Sequence, residues 1–123
     1  MGGMPRSLVV KVTCGSEDAE RCNQAFTVAA AAVASGAQVS LWLTGEASWF
    51  GVPGRAEEFS LDLATPLADL LSVVVAGGRV TVCTQCAARR GIVEGDLREG
   101  LTIAGAAVFT EEILDEGVQA LVY

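Results

Sequence analysis

The segment RVTVCTQCAARRG, residues 79–91, predicts a strand that passes directly into a helix. Its first five residues, 79–83, are rich in β-branched side chains and favour a strand. The eight residues that follow, 84–91, favour a short helix that ends at Gly91. A strand followed at once by a helix is typical of α/β domains with a parallel sheet. Because ligands of such sheets lie at the carboxyl ends of the strands, Cys83 is predicted to lie at a functional edge.

The rest of the chain repeats this alternation of apolar strands and amphipathic helices. The predicted strands cover residues 7–14, 37–45, 79–83, 101–103 and 118–123, and the predicted helices cover residues 19–35, 65–78, 84–91 and 106–117. Ser16 and Thr65 are expected to cap the first two helices, and Gly36 is expected to end the first. The order predicts a three-layer α/β/α fold with a mostly parallel sheet of about five strands.

Length and charge restrict the class of protein. The 123 residues are enough for one domain, expected over 7–123 after a loose N-terminal tail at 1–6. The net charge of −7 argues against nucleic-acid and anionic-membrane partners. The chain also lacks the run of about 18 apolar residues that a membrane helix needs, and its first residues do not resemble a signal peptide. A cytoplasmic protein with reduced thiols is therefore expected.

The chain contains no histidine, which removes several kinds of active site. A Ser-His-Asp triad, a Cys-His pair and a His-ligated zinc site are all excluded. No glycine-rich nucleotide-binding pattern is present, so no organic cofactor is expected. The chemistry must then come from cysteine, activated by backbone dipoles and arginine.

Cys83 is the candidate reactive thiol. Its position at the start of a helix favours the thiolate, and Arg89 and Arg90 add positive charge nearby. Cys86 lies three residues further on and on roughly the same side of the helix, where it could form a disulfide with Cys83. The two arginines could also be solvated residues that only stabilise the carboxyl end of the helix.

Four interpretations of the four cysteines remain open at this point. Cys83 could carry a persulfide, or Cys83 and Cys86 could form a redox-active dithiol. The pair could bind zinc together with Cys14 and Cys22, although structural zinc sites usually bring a second close pair. All four could instead be small buried hydrophobic residues. Cys22 is expected in the core, whereas Cys14 could pack or face the site. No metal is predicted within one chain.

The loop SWFGVPG, residues 48–54, contains two neighbouring aromatic residues. We expect Trp49 and Phe50 to be exposed in a monomer, as part of a subunit interface or of a flap over the site. The alternative is that they fold back onto the core of their own domain.

The segment VCTQCAARRGI, residues 82–92, resembles the cysteine-containing segment of the DsrE/DsrF-like family, which includes the TusD and YchN groups. The segments SLVVKVTCGSED, GAQVSLWLTGEA and LADLLSVVVAGGRVTVC occur in the order that this family also shows. The resemblance implies a small α/β fold that assembles into homo- or hetero-oligomers, commonly trimers or hexamers.

The resemblance also implies a role for Cys83. In the sulfur-transfer branch, the matching cysteine accepts sulfane sulfur as a persulfide and passes it to a partner protein, and the arginine turn matches Arg89, Arg90 and Gly91. Cys86 departs from the TusD-like pattern. We therefore expect a sulfur-relay protein, a candidate sulfurtransferase, with Cys83 as acceptor, Cys86 as assisting thiol and the arginines as electrostatic helpers. Its partners would be sulfur donor and acceptor proteins. The alternatives are a dithiol oxidoreductase and a non-catalytic oligomeric module that binds a small molecule.

Overall fold

A computed structural model describes residues 5–123. The strands are β1 (Ser7–Val12), β2 (Gln38–Leu43), β3 (Arg79–Cys83), β4 (Leu101–Ala104) and β5 (Val118–Val122). The helices are α1 (Ala19–Ala34), α2 (Leu67–Gly77), α3 (Thr84–Arg89) and α4 (Ala106–Leu114). Of the predicted tail, residues 1–4 lie outside the described part, and the Arg6 carbonyl accepts a hydrogen bond from the Gln38 N–H at 2.8 Å. Within residues 5–123, no helix is long and apolar enough to cross a membrane.

The strands form one sheet in the order β4-β3-β2-β1-β5. Each of its four neighbouring pairs is parallel. The predicted α/β fold class with a mostly parallel sheet of about five strands is therefore confirmed.

The two faces of the sheet carry different side chains because alternate residues of a strand point to opposite sides. Val10 and Leu41 belong to the core beneath α1 and α2. Lys11 and Trp42, the next residues along their strands, lie on the face that α4 covers, since both contact Phe109. Right-handed crossovers explain this division. The chain steps from β1 to β4 in one direction and then returns to β5, so α4 crosses the opposite face.

The aromatic loop folds back into the core, so the expectation that Phe50 is exposed was wrong. The segment Gly45–Gly51 forms a 3-10 turn over the carboxyl edge of the sheet. Phe50 is buried, and its ring meets the rings of Phe26 and Phe59 edge-on at centroid distances of 5.9 and 5.8 Å. Trp49 is half-buried, and the Arg55 guanidinium lies 4.3 Å above its ring.

The two predicted helix caps were also wrong. A 3-10 turn over Ser16–Asp18 precedes α1, and the Glu17 carboxylate accepts the Gly15 N–H at 2.7 Å instead. Helix α2 begins only after Pro66, without a side-chain cap. The predicted stop at Gly36 is confirmed, since its φ of +92° is a left-handed conformation that glycine adopts without strain.

Glu112 fixes α4 to the sheet. Its carboxylate accepts hydrogen bonds from the Ser40 hydroxyl at 2.7 Å and from the Trp42 indole N–H at 3.0 Å. The Arg79 guanidinium pairs with it at 3.1 Å. One carboxylate thus satisfies two donors on side chains that are themselves buried.

Replacing Glu112 with alanine is expected to lower the free energy of unfolding by about 2 kcal/mol, because it leaves buried donors without an acceptor. The measurement is urea unfolding of Glu112→Ala beside Glu111→Ala. Glu111 is the exposed neighbour in the same helix, so both changes share any gain in helix propensity. The control should stay within about 0.5 kcal/mol of the wild type. Equal losses in the two variants would contradict this account of α4.

Candidate functional site

Cys83 lies at the junction of a strand and a helix. It is the last residue of β3 and the N-cap residue of α3. Its neighbour across the sheet is Ala104, the last residue of β4. Since Thr81 and Cys83 share one face of β3, the Cys83 side chain lies on the α4 side of the sheet.

The Cys83 sulfur lies near several groups that can donate a hydrogen bond. The backbone N–H groups of Gln85 and Cys86 and the Cys86 thiol are close enough to lower the pKa of the Cys83 thiol. Burial by itself raises the pKa of the Cys83 thiol, but these donors and the positive charge of Lys11 outweigh burial, and the net effect is a lowered pKa. A lowered pKa gives more thiolate near neutral pH, which is the nucleophilic form.

Cys86 is held in place by a backbone donor. The Gly45 N–H, in the turn after β2, donates to the Cys86 sulfur at 3.2 Å. Gly45 has a φ of +54°, and a side chain there would collide with the Thr13 carbonyl oxygen. The sequence analysis missed this contact, because nothing in the order of the residues places Gly45 beside Cys86.

The two arginines occupy different environments. The Arg90 guanidinium binds the Glu46 carboxylate at 2.7 and 3.0 Å and the Cys86 carbonyl oxygen at 3.0 Å. It therefore ties α3 to the Gly45–Gly51 turn. Arg89 is exposed, and no hydrogen bond or ion pair involves its side chain in residues 5–123. A direct role of either arginine in the chemistry stays a prediction.

The amino end of α4 lies beside the same strand end. Gly105, its N-cap residue, comes directly after Ala104, and a Cβ atom on Gly105 would lie 3.5 Å from the Thr84 hydroxyl. The positive end of the α4 dipole is thus close to Cys83, in addition to that of α3.

Cys14 and Cys22 belong to the core on the α1 side and not to this site. Burial, assisted by the negative charges of Glu17 and Asp18, raises the pKa of both thiols, that of Cys22 to about 12. In the part of the chain that the structure describes, no three His, Cys, Asp or Glu residues cluster as metal ligands would. The four cysteines therefore form two separate groups.

Removing the Cys86 thiol is expected to raise the pKa of Cys83, because one donor to the thiolate is lost. The measurement is the pH dependence of alkylation at Cys83, located by peptide mass mapping. The midpoint should lie below the ordinary thiol value in the wild type, rise in Cys86→Ala and stay nearly unchanged in Cys86→Ser, whose hydroxyl can still donate. Identical midpoints in wild type and Cys86→Ala would show that the thiol does not act on Cys83.

Several solved structures share this fold. The YchN protein from E. coli superposes with a TM-score of 0.78 at 20% identity, over 98% of this chain and 100% of its own. The protein of unknown function MTH1491 from Methanobacterium thermoautotrophicum gives 0.67 at 11% identity, over 96% and 99% of the two chains. The conserved protein of unknown function BT1422 from Bacteroides thetaiotaomicron gives 0.60 at 16% identity, over 99% and 100%. At these identities the likeness establishes the fold alone.

Sequence comparison identifies the family. No sequence among the curated proteins matches the chain significantly. The sequence profile of the DsrE/DsrF-like family, in contrast, matches residues 7–122, which include every strand and helix of the domain. The chain therefore belongs to the DsrE/DsrF-like family.

Proposed function

We propose that this protein is a sulfur-relay protein that carries sulfane sulfur as a persulfide on Cys83. Membership of the DsrE/DsrF-like family supports a sulfur-relay role in general terms. The observation that carries the finer proposal is the position of Cys83 at the end of β3 and the start of α3, where nearby donors of Gln85 and Cys86 lower the pKa of its thiol despite burial. A half-buried thiolate suits a carrier, because it is nucleophilic and yet partly shielded from solvent.

The proposed reaction is a thiol exchange without net oxidation. The Cys83 thiolate attacks the outer sulfur of a donor persulfide, R–S–SH. The S–S bond of the donor breaks, the donor leaves as the thiolate RS⁻, and Cys83 retains the outer sulfur as Cys83–S–SH. The nearby donor groups of Gln85 and Cys86 favour the thiolate before the attack. A partner thiolate then removes the outer sulfur by the same step in reverse.

Cys86 offers a second route by which the outer sulfur can leave Cys83. Its thiolate can attack the inner sulfur of the Cys83 persulfide, which forms a Cys83–Cys86 disulfide and releases HS⁻. The contact between the two thiols also supports a second candidate function, that of a dithiol oxidoreductase. In that case the disulfide forms without any bound sulfur.

We place the carrier in the cytoplasm, with sulfur donor and acceptor proteins as partners, and expect it to form a homo-oligomer, a trimer or a hexamer. The support for self-association lies in β5, which is an edge strand paired only with β1. Val122 on this strand is 65% exposed, and Leu114 at the end of α4 is 77% exposed. Apolar residues beside an open strand edge are typical of a surface that another chain covers.

Sulfur loading is the test of the carrier function. The reduced protein is exposed to a small-molecule persulfide, and its intact mass is compared with that of Cys83→Ser. We expect the wild type to gain one sulfur atom and the variant to gain none, because the serine hydroxyl is not a thiolate nucleophile. Cys22→Ser is the matched control, since that buried thiol should not contribute.

Cys86→Ala separates the two candidate functions. A carrier still loads sulfur without Cys86, whereas a dithiol enzyme loses its turnover. Loss of two hydrogens from the wild type, mapped to Cys83 and Cys86 with no sulfide released, would favour the oxidoreductase. No mass change in any protein would contradict both functions and leave a binding module whose cysteines only pack.

Self-association is tested by native mass. Leu114→Asp is expected to shift the wild-type oligomer toward the monomer, because it places a charge in the apolar contact. Leu63→Asp is the matched control, since Leu63 is fully exposed but lies in a loop far along the chain from β5. A monomeric wild type, or an unchanged mass of Leu114→Asp, would contradict an interface at this surface.

A further inference from the structure

Lys11 is the single lysine of the chain, and the observed neighbour of its ammonium group is an aromatic ring. It lies in β1 on the face that α4 covers, and its Nζ atom lies 4.8 Å from the centroid of the Phe109 ring. Among residues 5–123, no carboxylate forms an ion pair with it. An aromatic ring attracts a cation without cancelling its charge, so the charge remains available to another anion.

The strand register brings Lys11 and Cys83 together. Lys11 pairs with Trp42 across β1 and β2, and Trp42 pairs with Thr81 across β2 and β3. Cys83 lies two residues beyond Thr81 on the same face. With strands about 4.8 Å apart, and a lysine side chain that extends toward α4, the ammonium group lies on the order of 10 Å from the Cys83 sulfur.

Helix α4 closes the space between them. Phe109 lies one turn into this helix, whose first residues follow Ala104, the sheet neighbour of Cys83. The ring also meets Trp42 edge-on at 5.4 Å, which holds it in place. The Lys11 side chain is thus positioned between the sheet and α4, on the side where the Cys83 sulfur emerges.

We infer that Lys11 is a positioning residue that stabilises negative charge on the sulfur at Cys83, first on the thiolate and then on the outer sulfur of the persulfide. The role of Lys11 toward the persulfide rests on the proposed function, whereas its role toward the thiolate does not. The outer sulfur lies about 2 Å beyond the Cys83 sulfur, so it stays within range of the same ammonium group. The site therefore favours the ionised form of the persulfide that Cys83 carries.

The other charged groups near the site do not supply this cation. Arg90 is paired with Glu46, and Arg79 is paired with Glu112 at the opposite end of the strands. Glu111 lies on the exposed side of α4, and Arg89 on the exposed side of α3. Burial raises the pKa of Cys83, the Cys86 and Gln85 donors lower it, and Lys11 is the charged side chain that lowers it further.

The test compares two alkylating reagents of different charge at Cys83, neutral iodoacetamide and anionic iodoacetate. The proteins are the full-length wild type, Lys11→Gln, Lys11→Arg and Arg89→Gln. Arg89→Gln is the matched control because it removes the same charge from an exposed position on α3. The rate with iodoacetamide across pH reports the ionisation of the thiol, and the ratio of the two rates reports the local potential.

We expect Lys11→Gln to raise the pH midpoint and to lower the iodoacetate-to-iodoacetamide rate ratio roughly two- to fivefold at low salt. The difference should disappear near 1 M salt, where the Debye length is about 3 Å. Lys11→Arg should restore the wild-type values, and Arg89→Gln should change them less than Lys11→Gln does, because its charge lies on the exposed side of α3. A purely structural role for Lys11 would leave both the ratio and its salt dependence unaltered.

Equal effects of Lys11→Gln and Arg89→Gln, or no effect of Lys11→Gln, would overturn the inference. The outcome is independent of sulfur loading. If the wild type loads sulfur but Lys11→Gln changes neither the pH midpoint nor the rate ratio, the role of Lys11 is refuted and the carrier function stands. If the wild type does not load sulfur but Lys11→Gln shifts both the pH midpoint and the rate ratio, the carrier function is refuted. The inference that Lys11 stabilises the Cys83 thiolate then still stands.

Discussion

The parallel pairing of β3 with β2 on one side and β4 on the other is the constraint on which the site depends. Parallel strands end at the same edge, so the turn after β2, the Cys83 thiol and the start of α4 all meet there. An antiparallel neighbour would have carried its own end to the opposite edge. The sheet thus brings three segments that are separate in the chain to one edge, where the Gly45 N–H donates to the Cys86 sulfur and Cys86 lies beside Cys83.

The two faces of this sheet give Cys14 and Cys22 a different chemistry from that of Cys83. On the α1 side, Cys14 and Cys22 are buried among apolar residues, and burial keeps their thiols protonated. On the α4 side, the sheet carries Ser40, Trp42 and Lys11, and the helix is held by a carboxylate. A half-buried sulfur on that side finds N–H donors and a cation, so its ionised form is favoured.

Arg90 and Lys11 have different roles at the site, and their positions in the chain do not reveal this difference. Arg90 is adjacent to the reactive helix but binds Glu46 and a backbone carbonyl, and so it fixes the geometry of α3. Lys11 lies far from Cys83 in the chain, yet its charge reaches the sulfur because its neighbour is an aromatic ring and not a carboxylate. An arginine already paired with a carboxylate contributes little net potential to a third group.

The sequence by itself determined the alternation of strands and helices, the fold class, the family and the position of Cys83 at the end of β3, because periodicity and a short motif are local properties. Only the tertiary structure decided the rest. Phe50 was expected at the surface and lies in the core, because a 3-10 turn folds its loop back. The caps at Ser16 and Thr65 failed because neighbouring turns satisfied the backbone differently. The contact of Gly45 with Cys86 and the proximity of Lys11 to Cys83 depend on which strands become neighbours. Strand pairing joins segments that are far apart in the chain, so no single segment predicts it.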